Sequence, residues 1–393
     1  MKTIVCTGGG TGGHIYPGLA VADELKKRSD VRIVWFGSSA GRDGEMVRSN
    51  VNQDGLPSVD AFVGIPSGKL RRYFSLHNIF DIFKIAAGFF ISLLHLKRIK
   101  PLAVFSKGGF VSVPPCAAAK LLGIPVYTHE CDFSPGLATR LNSKFAHRIL
   151  LSYEESRRFF PEIKQGALVV TGNPVRPVFY TADAEKGRSF LGLDKKNAAP
   201  SEKPILLVLG GSSGARQIND LIFENFEWLC ERFILVHQTG RGTDYEKARS
   251  STYAAAIANK NYIPYDFIYA DMPHLIAACD LVFSRAGANS LWECAVCAKP
   301  MLLLPLSGTG TRGDQVENAA WFAKQNAAFV LQTENGQNSA SLSAALKSAL
   351  DKMIAPDFRT AMGQAALNLT GREKSAQKIA DILYMGVLAK HGI

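Results

Sequence analysis

Short apolar runs recur along this chain, each ending in glycine or small polar residues and each followed by a stretch with helical spacing. The runs at 3–7, 32–36, 103–106, 126–129, 149–152 and 168–171 read as strands buried on both faces, as in a parallel sheet. Gly172-Asn173-Pro174-Val175-Arg176-Pro177 then interrupts the alternation, and a polar segment follows at 194–203, so a domain boundary is expected here. The pattern restarts at 205–209 and continues through 233–238, 281–283, 301–304 and 328–331, with helices to the end. Such alternation predicts an α/β fold of two Rossmann-like, doubly wound parallel-sheet domains. We expect them to span 1–175 and 176–370, with 371–393 a helix packing back on the N-terminal domain. Each half carries a glycine loop after its first strand, and the two are expected to face a cleft suited to a two-substrate reaction.

The first loop, Gly8-Gly9-Gly10-Thr11-Gly12-Gly13-His14, fits the dinucleotide pattern Gly-x-Gly-x-x-Gly, with a helix expected to begin near Pro17. The next strand ends in Gly37-Ser38-Ser39, without the acid that would hold an adenosine ribose. The loop therefore suits close approach of a bulky polar ligand other than NAD. A glycine turn needed only for strand–helix packing is the plainer alternative. His14, at the loop's end, is a candidate general base, since a near-neutral imidazole can take a proton from a hydroxyl. In the second half, 280–320 reads as two strand–loop–helix units. A helix is expected to start near Asn289 or Ser290, with Ser290 and Glu293 at capping-box spacing and Asp314 capping the next helix. Loops and helix N-termini at strand carboxyl ends are where α/β folds take phosphorylated ligands. Helix capping alone is the competing reading.

The chain's 393 residues imply two or three domains, and 47% hydrophobic with 20% charged residues is globular, not disordered, composition. A net charge of +11 points to an anionic partner. Between 69 and 100 the basic residues Lys69, Arg71, Arg72, Lys84, Lys97, Arg98 and Lys100 stand against one acid, Asp81, with Ile, Phe and Leu between them. The apolar part is too short to span a bilayer and suits a helix lying on an anionic membrane surface, or else a buried core helix with basic ends. The seven cysteines are scattered, as in a reducing compartment, and Cys294-x-x-Cys297 lacks a second ligand pair for a metal. The start MKTIVCTGGG enters a strand directly, with no signal-peptide pattern, and no run is long and apolar enough to predict a transmembrane helix.

GGGTGGHIYPG, SKGGFVSVP, GNPVR, GGSSGA, RAGANSLWE and DQVENA resemble, in this order, the motifs of the MurG family. The likeness covers nearly the whole chain. It implies GT-B architecture and an inverting transfer of N-acetylglucosamine from UDP-N-acetylglucosamine to lipid I (undecaprenyl-pyrophosphoryl-N-acetylmuramoyl peptide), giving lipid II. It implies a peripheral enzyme on the cytoplasmic face of the cell membrane, without cofactor or metal. By motif, Thr11, Gly12 and Gly13 lie by the sugar and diphosphate, and Arg176 and Ser212 contact the donor. Tyr269 falls in the uracil-binding loop. Ala288, Asn289, Ser290, Leu291, Trp292 and Glu293 form the helix start under the diphosphate, with Glu293 on the ribose, and Gln315 holds sugar hydroxyls. Asp132 stands in His129-Glu130-Cys131-Asp132 where many members have an asparagine touching the donor sugar. An aspartate can accept from a hydroxyl but cannot donate as an amide does. His14 is the expected base and Glu130 the second choice. Without an Asp-x-Asp motif for a metal, backbone N–H groups, a helix dipole and Arg176 are expected to stabilise the leaving diphosphate. Rival readings are a GT-B transferase for another lipid or glycan, a UDP-N-acetylglucosamine 2-epimerase, and a non-catalytic UDP-sugar scaffold; no motif supports nucleic-acid binding.

Overall fold

The computed structural model describes residues 1–52, 54–68, 77–193, 203–210, 214–308, 311–331, 339–371 and 374–391. The chain divides into two compact units, Met1–Pro177 with Arg372–Ile393, and Val178–Gly371.

The first unit is built on a seven-stranded sheet in the order β3-β2-β1-β4-β5-β6-β7, every neighbouring pair parallel. Its strands are β1 (Lys2–Thr7), β2 (Val31–Ser38), β3 (Ala61–Ile65), β4 (Ala103–Ser106), β5 (Val126–Glu130), β6 (Arg148–Leu151) and β7 (Leu168–Val170). Ile4 pairs with Ile33 on one side and Ala103 on the other, so β1 lies centrally. The chain moves outward from β1 to β3, then crosses to β4. The connections after β1 and β4 thus diverge, which opens a crevice at their carboxyl ends. One face packs Ile4, Phe105 and Tyr127 against helices Gly12–Lys26 and Ser375–His391; the other packs Val5, Val104 and Phe36 against helices His77–Ile99 and Val113–Leu121. Helix Ser375–His391 buries Ala376, Ile379, Ala380, Leu383 and Val387 at helical spacing. Each of its larger aliphatic side chains contributes roughly 1.5–3 kcal/mol of burial. Tyr384 lies under Lys2 and Arg28, and Arg28 pairs with Asp381.

The second unit repeats the plan with six parallel strands in the order β10-β9-β8-β11-β12-β13. These are β8 (Ile205–Leu209), β9 (Ile234–Gln238), β10 (Tyr262–Tyr265), β11 (Leu281–Ser284), β12 (Met301–Leu303) and β13 (Ala328–Val330). The crossover falls between β8 and β11.

Three local expectations are corrected. The first helix begins at Gly12, and Pro17 lies in its second turn. The helix expected near Asn289 or Ser290 begins at Ala288 with Gly287 as its N-cap and no side-chain cap bond, so Ser290 already sits in the first turn and forms no capping box with Glu293. Asp314 is the first helical residue of Asp314–Lys324; Gly313, left-handed at φ 78°, is the cap. At Gly313 only a glycine reaches the left-handed entry without side-chain strain, whereas Gly287 enters in an extended conformation at φ −69°.

A buried polar chain links strands and helices of the second unit. The Asn219 amide donates to Thr239 O (2.8 Å) and Asp244 Oδ2 (2.7 Å), leaving its Oδ1 as acceptor for His237 Nε2 (3.0 Å). His237 therefore carries its proton on Nε2, and its Nδ1 accepts from the Tyr262 hydroxyl (3.1 Å). Burial holds the His237 pKa down at about 3. The unfolded imidazole titrates near 6.5, so below that pH the unfolded chain binds a proton that the folded one refuses until about pH 3. This contribution to stability is complete above pH 6.5 and is lost as pH falls toward 3, amounting to about 2 kcal/mol by pH 5. Thermal unfolding of wild type and His237→Gln at pH 7.5 and 5 should show the variant less stable at pH 7.5 and the gap narrowing at pH 5. Parallel curves would contradict a neutral buried His237.

Candidate functional site

In the first unit, β1 and β4 end in two glycine loops that interlock. Thr7 Oγ1 donates to Phe36 O (3.0 Å) and Trp35 Nε1 to Gly8 O (3.1 Å), which fixes the exit of β1. Thr11 is exposed, and Gly12, Gly13 and His14 are half-buried at the start of helix Gly12–Lys26. The His14 ring lies on Gly108 and Gly109, which have φ of 86° and 77°; a Cβ on Gly109 would stand 2.9 Å from His14 Cδ2. Backbone conformation thus requires glycine at both positions after Lys107, and at 109 the Gly9 carbonyl (2.7 Å from such a Cβ) and the imidazole require it as well. The second loop is also held by Asn142, whose amide donates to Ser106 Oγ (3.0 Å) and Ser112 Oγ (2.8 Å). Ser106 Oγ accepts from Gly108 N–H (3.1 Å).

Beside these loops, β5 delivers His129 and Glu130. His129 Nε2 must donate to Gly172 O (3.0 Å), because a carbonyl only accepts. Burial, and then the positive charge of Lys107, keep His129 well below the usual imidazole range. Lys107 itself is 1% exposed. Glu130 is buried, and its carboxylate accepts three backbone N–H groups: Cys131 (2.9 Å) and Asp132 (3.0 Å) on Oε1, and Gly136 (3.0 Å) on Oε2. The side chain considered as second-choice base is occupied in tying loop 131–136, which carries half-buried Asp132. Glu130, Cys131 and Asp132 bring metal-type ligand atoms within 4.8 Å of one another, yet the Cys131 thiol is pushed up to about 12 by burial. Half-buried Arg176 places its guanidinium 5.3 Å from the centre of the Tyr16 ring, on the first helix.

In the second unit, Ser212 lies outside the described residues. Tyr269 is 59% exposed, edge-on to Phe267, with its hydroxyl bonded by Arg241. Its loop is held from below: Gln238, buried at the end of β9, accepts from Ile268 N–H (3.0 Å). After β11, Arg285 donates to Gln217 Oε1 (3.1 Å) and Leu304 O (2.9 Å), and Asn318 donates to Ala286 O (3.2 Å). These bonds position the turn into helix Ala288–Val296. Its first turn has no acidic residue to offset the positive end of the helix dipole. Of the six residues expected here, Ala288, Leu291 and Trp292 are buried, with Trp292 stacked on Trp321; Asn289, Ser290 and Glu293 are the partly accessible ones. Gln315 accepts from Leu306 N–H (3.0 Å), so its carbonyl oxygen holds the loop while its amide nitrogen stays available as a donor.

The sequence reading named the motifs but passed over Lys107, Asn142, Gln238, Arg285 and Asn318. Lys107, Arg285 and Asn318 lie inside quoted motifs and Asn142 and Gln238 outside them, yet each partner is distant in sequence, so spacing carries no signal for them. Cys297 donates to Phe179 O (3.5 Å) and the buried Cys294 thiol is raised, which makes the pair part of the packing.

Residues 4–151 match the Glycosyltransferase family 28 N-terminal domain, and residues 205–381 the Glycosyltransferase family 28 C-terminal domain. A Treponema denticola protein named UDP-N-acetylglucosamine–N-acetylmuramyl-(pentapeptide) pyrophosphoryl-undecaprenol N-acetylglucosamine transferase is 49% identical over 387 residues, 98% of this chain and 97% of that one. A Bacillus cereus protein of the same name, numbered 2, is 36% identical over 335 residues, 85% of this chain and 88% of that one. The crystal structure of Acinetobacter baumannii MurG superposes with a TM-score of 0.69 at 21% identity, covering 98% of this chain and all of that one, and a UDP-N-acetylglucosamine 2-epimerase with 0.60 at 15%, covering 98% and 96%. At those identities the structures speak for the fold alone.

Proposed function

The chain belongs to glycosyltransferase family 28, and from that premise we infer that it moves N-acetylglucosamine from UDP-N-acetylglucosamine to lipid I, making lipid II for peptidoglycan. The observation that carries this reading is the 49% identity, over 98% of the chain, to a protein named for that transfer. An acceptor sugar hydroxyl attacks the anomeric carbon as the bond to the diphosphate oxygen breaks. The bond's electron pair leaves with UDP, and the hydroxyl proton goes to the His14 imidazole. Charge growing on the diphosphate meets the N–H groups at the start of helix Ala288–Val296. That dipole alone supplies roughly 0.3–1 kcal/mol, up to about 2 when partly buried, so several fixed donors act together. Asn289, Ser290 and Glu293 are the accessible side chains there. Glu293 accepts from ribose hydroxyls, Tyr269 flanks the uracil, and the Gln315 amide donates to the sugar. On the first unit, Thr11, Gly12, Gly13 and Asp132 line the reacting sugar, and Arg176 adds positive charge.

The acceptor is lipid-linked, and helix His77–Ile99 offers a surface for its membrane. Ile82, Phe83, Phe90 and Leu94 are 56–69% exposed along one side, with Lys84, Lys97, Arg98 and Lys100 also exposed, while Gly88, Ser92 and Leu96 face inward. Lys69, Arg71 and Arg72 lie outside the described residues. Among the described residues no helix is long and apolar enough to cross a membrane. We place the enzyme peripherally on the cytoplasmic face of the membrane, where anionic head groups attract each basic side chain by about 1 kcal/mol.

Release of UDP from UDP-N-acetylglucosamine should require a lipid I analogue and fall at least a hundredfold in His14→Ala at unchanged UDP affinity. UDP release without acceptor, accompanied by 2-epimerised sugar, would instead establish an epimerase, and UDP-sugar binding without turnover a scaffold. Phe90→Glu with Leu94→Glu should weaken binding to phosphatidylglycerol vesicles at least tenfold without lowering the melting temperature; undiminished binding would remove this helix from the membrane contact.

A further inference from the structure

The first glycine loop is moulded on a carboxylate from another connection. Asp43 is 3% exposed and opens the short helix Asp43–Arg48, just beyond β2. Its Oδ1 and Oδ2 both accept from Gly10 N–H, at 3.0 and 3.1 Å, and Oδ2 also accepts from Ser38 N–H at 2.9 Å. Gly10 has φ +83°, and a Cβ on Gly9 would stand 1.9 Å from Asp43 Oδ2. Glycine at position 9 is therefore required by the carboxylate. In dinucleotide-binding folds the acid after the second strand reaches outward to a ribose. Here β2 ends in Gly37-Ser38-Ser39, and the acid a few residues later turns inward, onto the backbone of the loop after β1.

We propose that Asp43 is a positioning residue for the transfer reaction. It ties Gly10 to the end of β2 and so fixes where helix Gly12–Lys26 starts and how the His14 ring lies on Gly108 and Gly109. The inference rests on the reading of the first loop as the one that carries reacting groups. An ionised carboxylate accepts all three bonds at once. Asparagine has the same shape but turns an amide N–H toward the backbone N–H of Gly10 or Ser38, donor against donor. The loop then shifts while the hydrophobic core beneath it is unchanged.

The test compares wild type with Asp43→Asn, Asp43→Ala, Gly9→Ala, the Asp43→Ala/Gly9→Ala double variant and His14→Ala. The readouts are kcat, KM for a lipid I analogue, UDP affinity by calorimetry and the melting temperature. Asp43→Asn should lose at least tenfold in kcat, with UDP affinity within twofold of wild type and melting well above the assay temperature. Asp43→Ala and Gly9→Ala break the same contact, so their double variant should be no slower than the slower single one. A merely structural role predicts instead that kcat per folded molecule is kept. The proposal is overturned if Asp43→Asn retains kcat within twofold, or if the double variant loses the product of the two single losses. His14→Ala with full turnover would count against the assignment of the base; the Asp43–Gly9 cycle is read independently of it.

Discussion

Backbone N–H groups at the carboxyl ends of parallel strands have no further strand to bond, and buried side-chain oxygens take their place. Asp43 does this for Gly10 and Ser38, and Glu130 for Cys131, Asp132 and Gly136. Gln238 does it for Ile268; nearer the surface, half-buried Gln315 accepts from Leu306 N–H in the same way. An unmet buried N–H costs about 1–3 kcal/mol. Each acceptor therefore holds its loop to one shape, and the candidate binding residues ride on those loops.

Why the loops stay open to a ligand follows from the same arrangement. Both sheets reverse direction next to their first strand, so connections part at β1 and β4 in one unit and at β8 and β11 in the other. Helix starts at Gly12 and Ala288 emerge there without a side-chain cap. The hydrogen bonds of Arg285 and Asn318 keep the turn before Ala288 in place. A diphosphate is the group that the N–H donors of a helix start suit, and the accessible polar side chains, Asn289, Ser290 and Glu293, stand beside them.

Much of the architecture was legible because parallel strands buried on both faces leave uninterrupted apolar runs. Residues 103–106 and 205–209 were read to the residue. The edge strands Ala61–Ile65 and Tyr262–Tyr265 were not, since one is only half-buried and the other carries Pro264, tolerable at an edge but misleading in a pattern. The Ser290–Glu293 spacing suggested a cap because sequence cannot show that Gly287 already sets the entry. For the site, motif order located the loops, but the groups that shape them were hidden. Asp43 lies thirty-three residues from Gly10, and Gln238 thirty from Ile268. That the Glu130 carboxylate also holds three backbone N–H groups could not be read from its place in the chain.

The central claim is that the donor's diphosphate is taken by main-chain amides at the start of helix Ala288–Val296. Amide hydrogen exchange with and without UDP-N-acetylglucosamine tests it directly. The account predicts new protection concentrated at residues 287–293, with a second region at 266–269 for the base. Protection absent from 287–293, and gathered instead on the loop at 8–14, would contradict it.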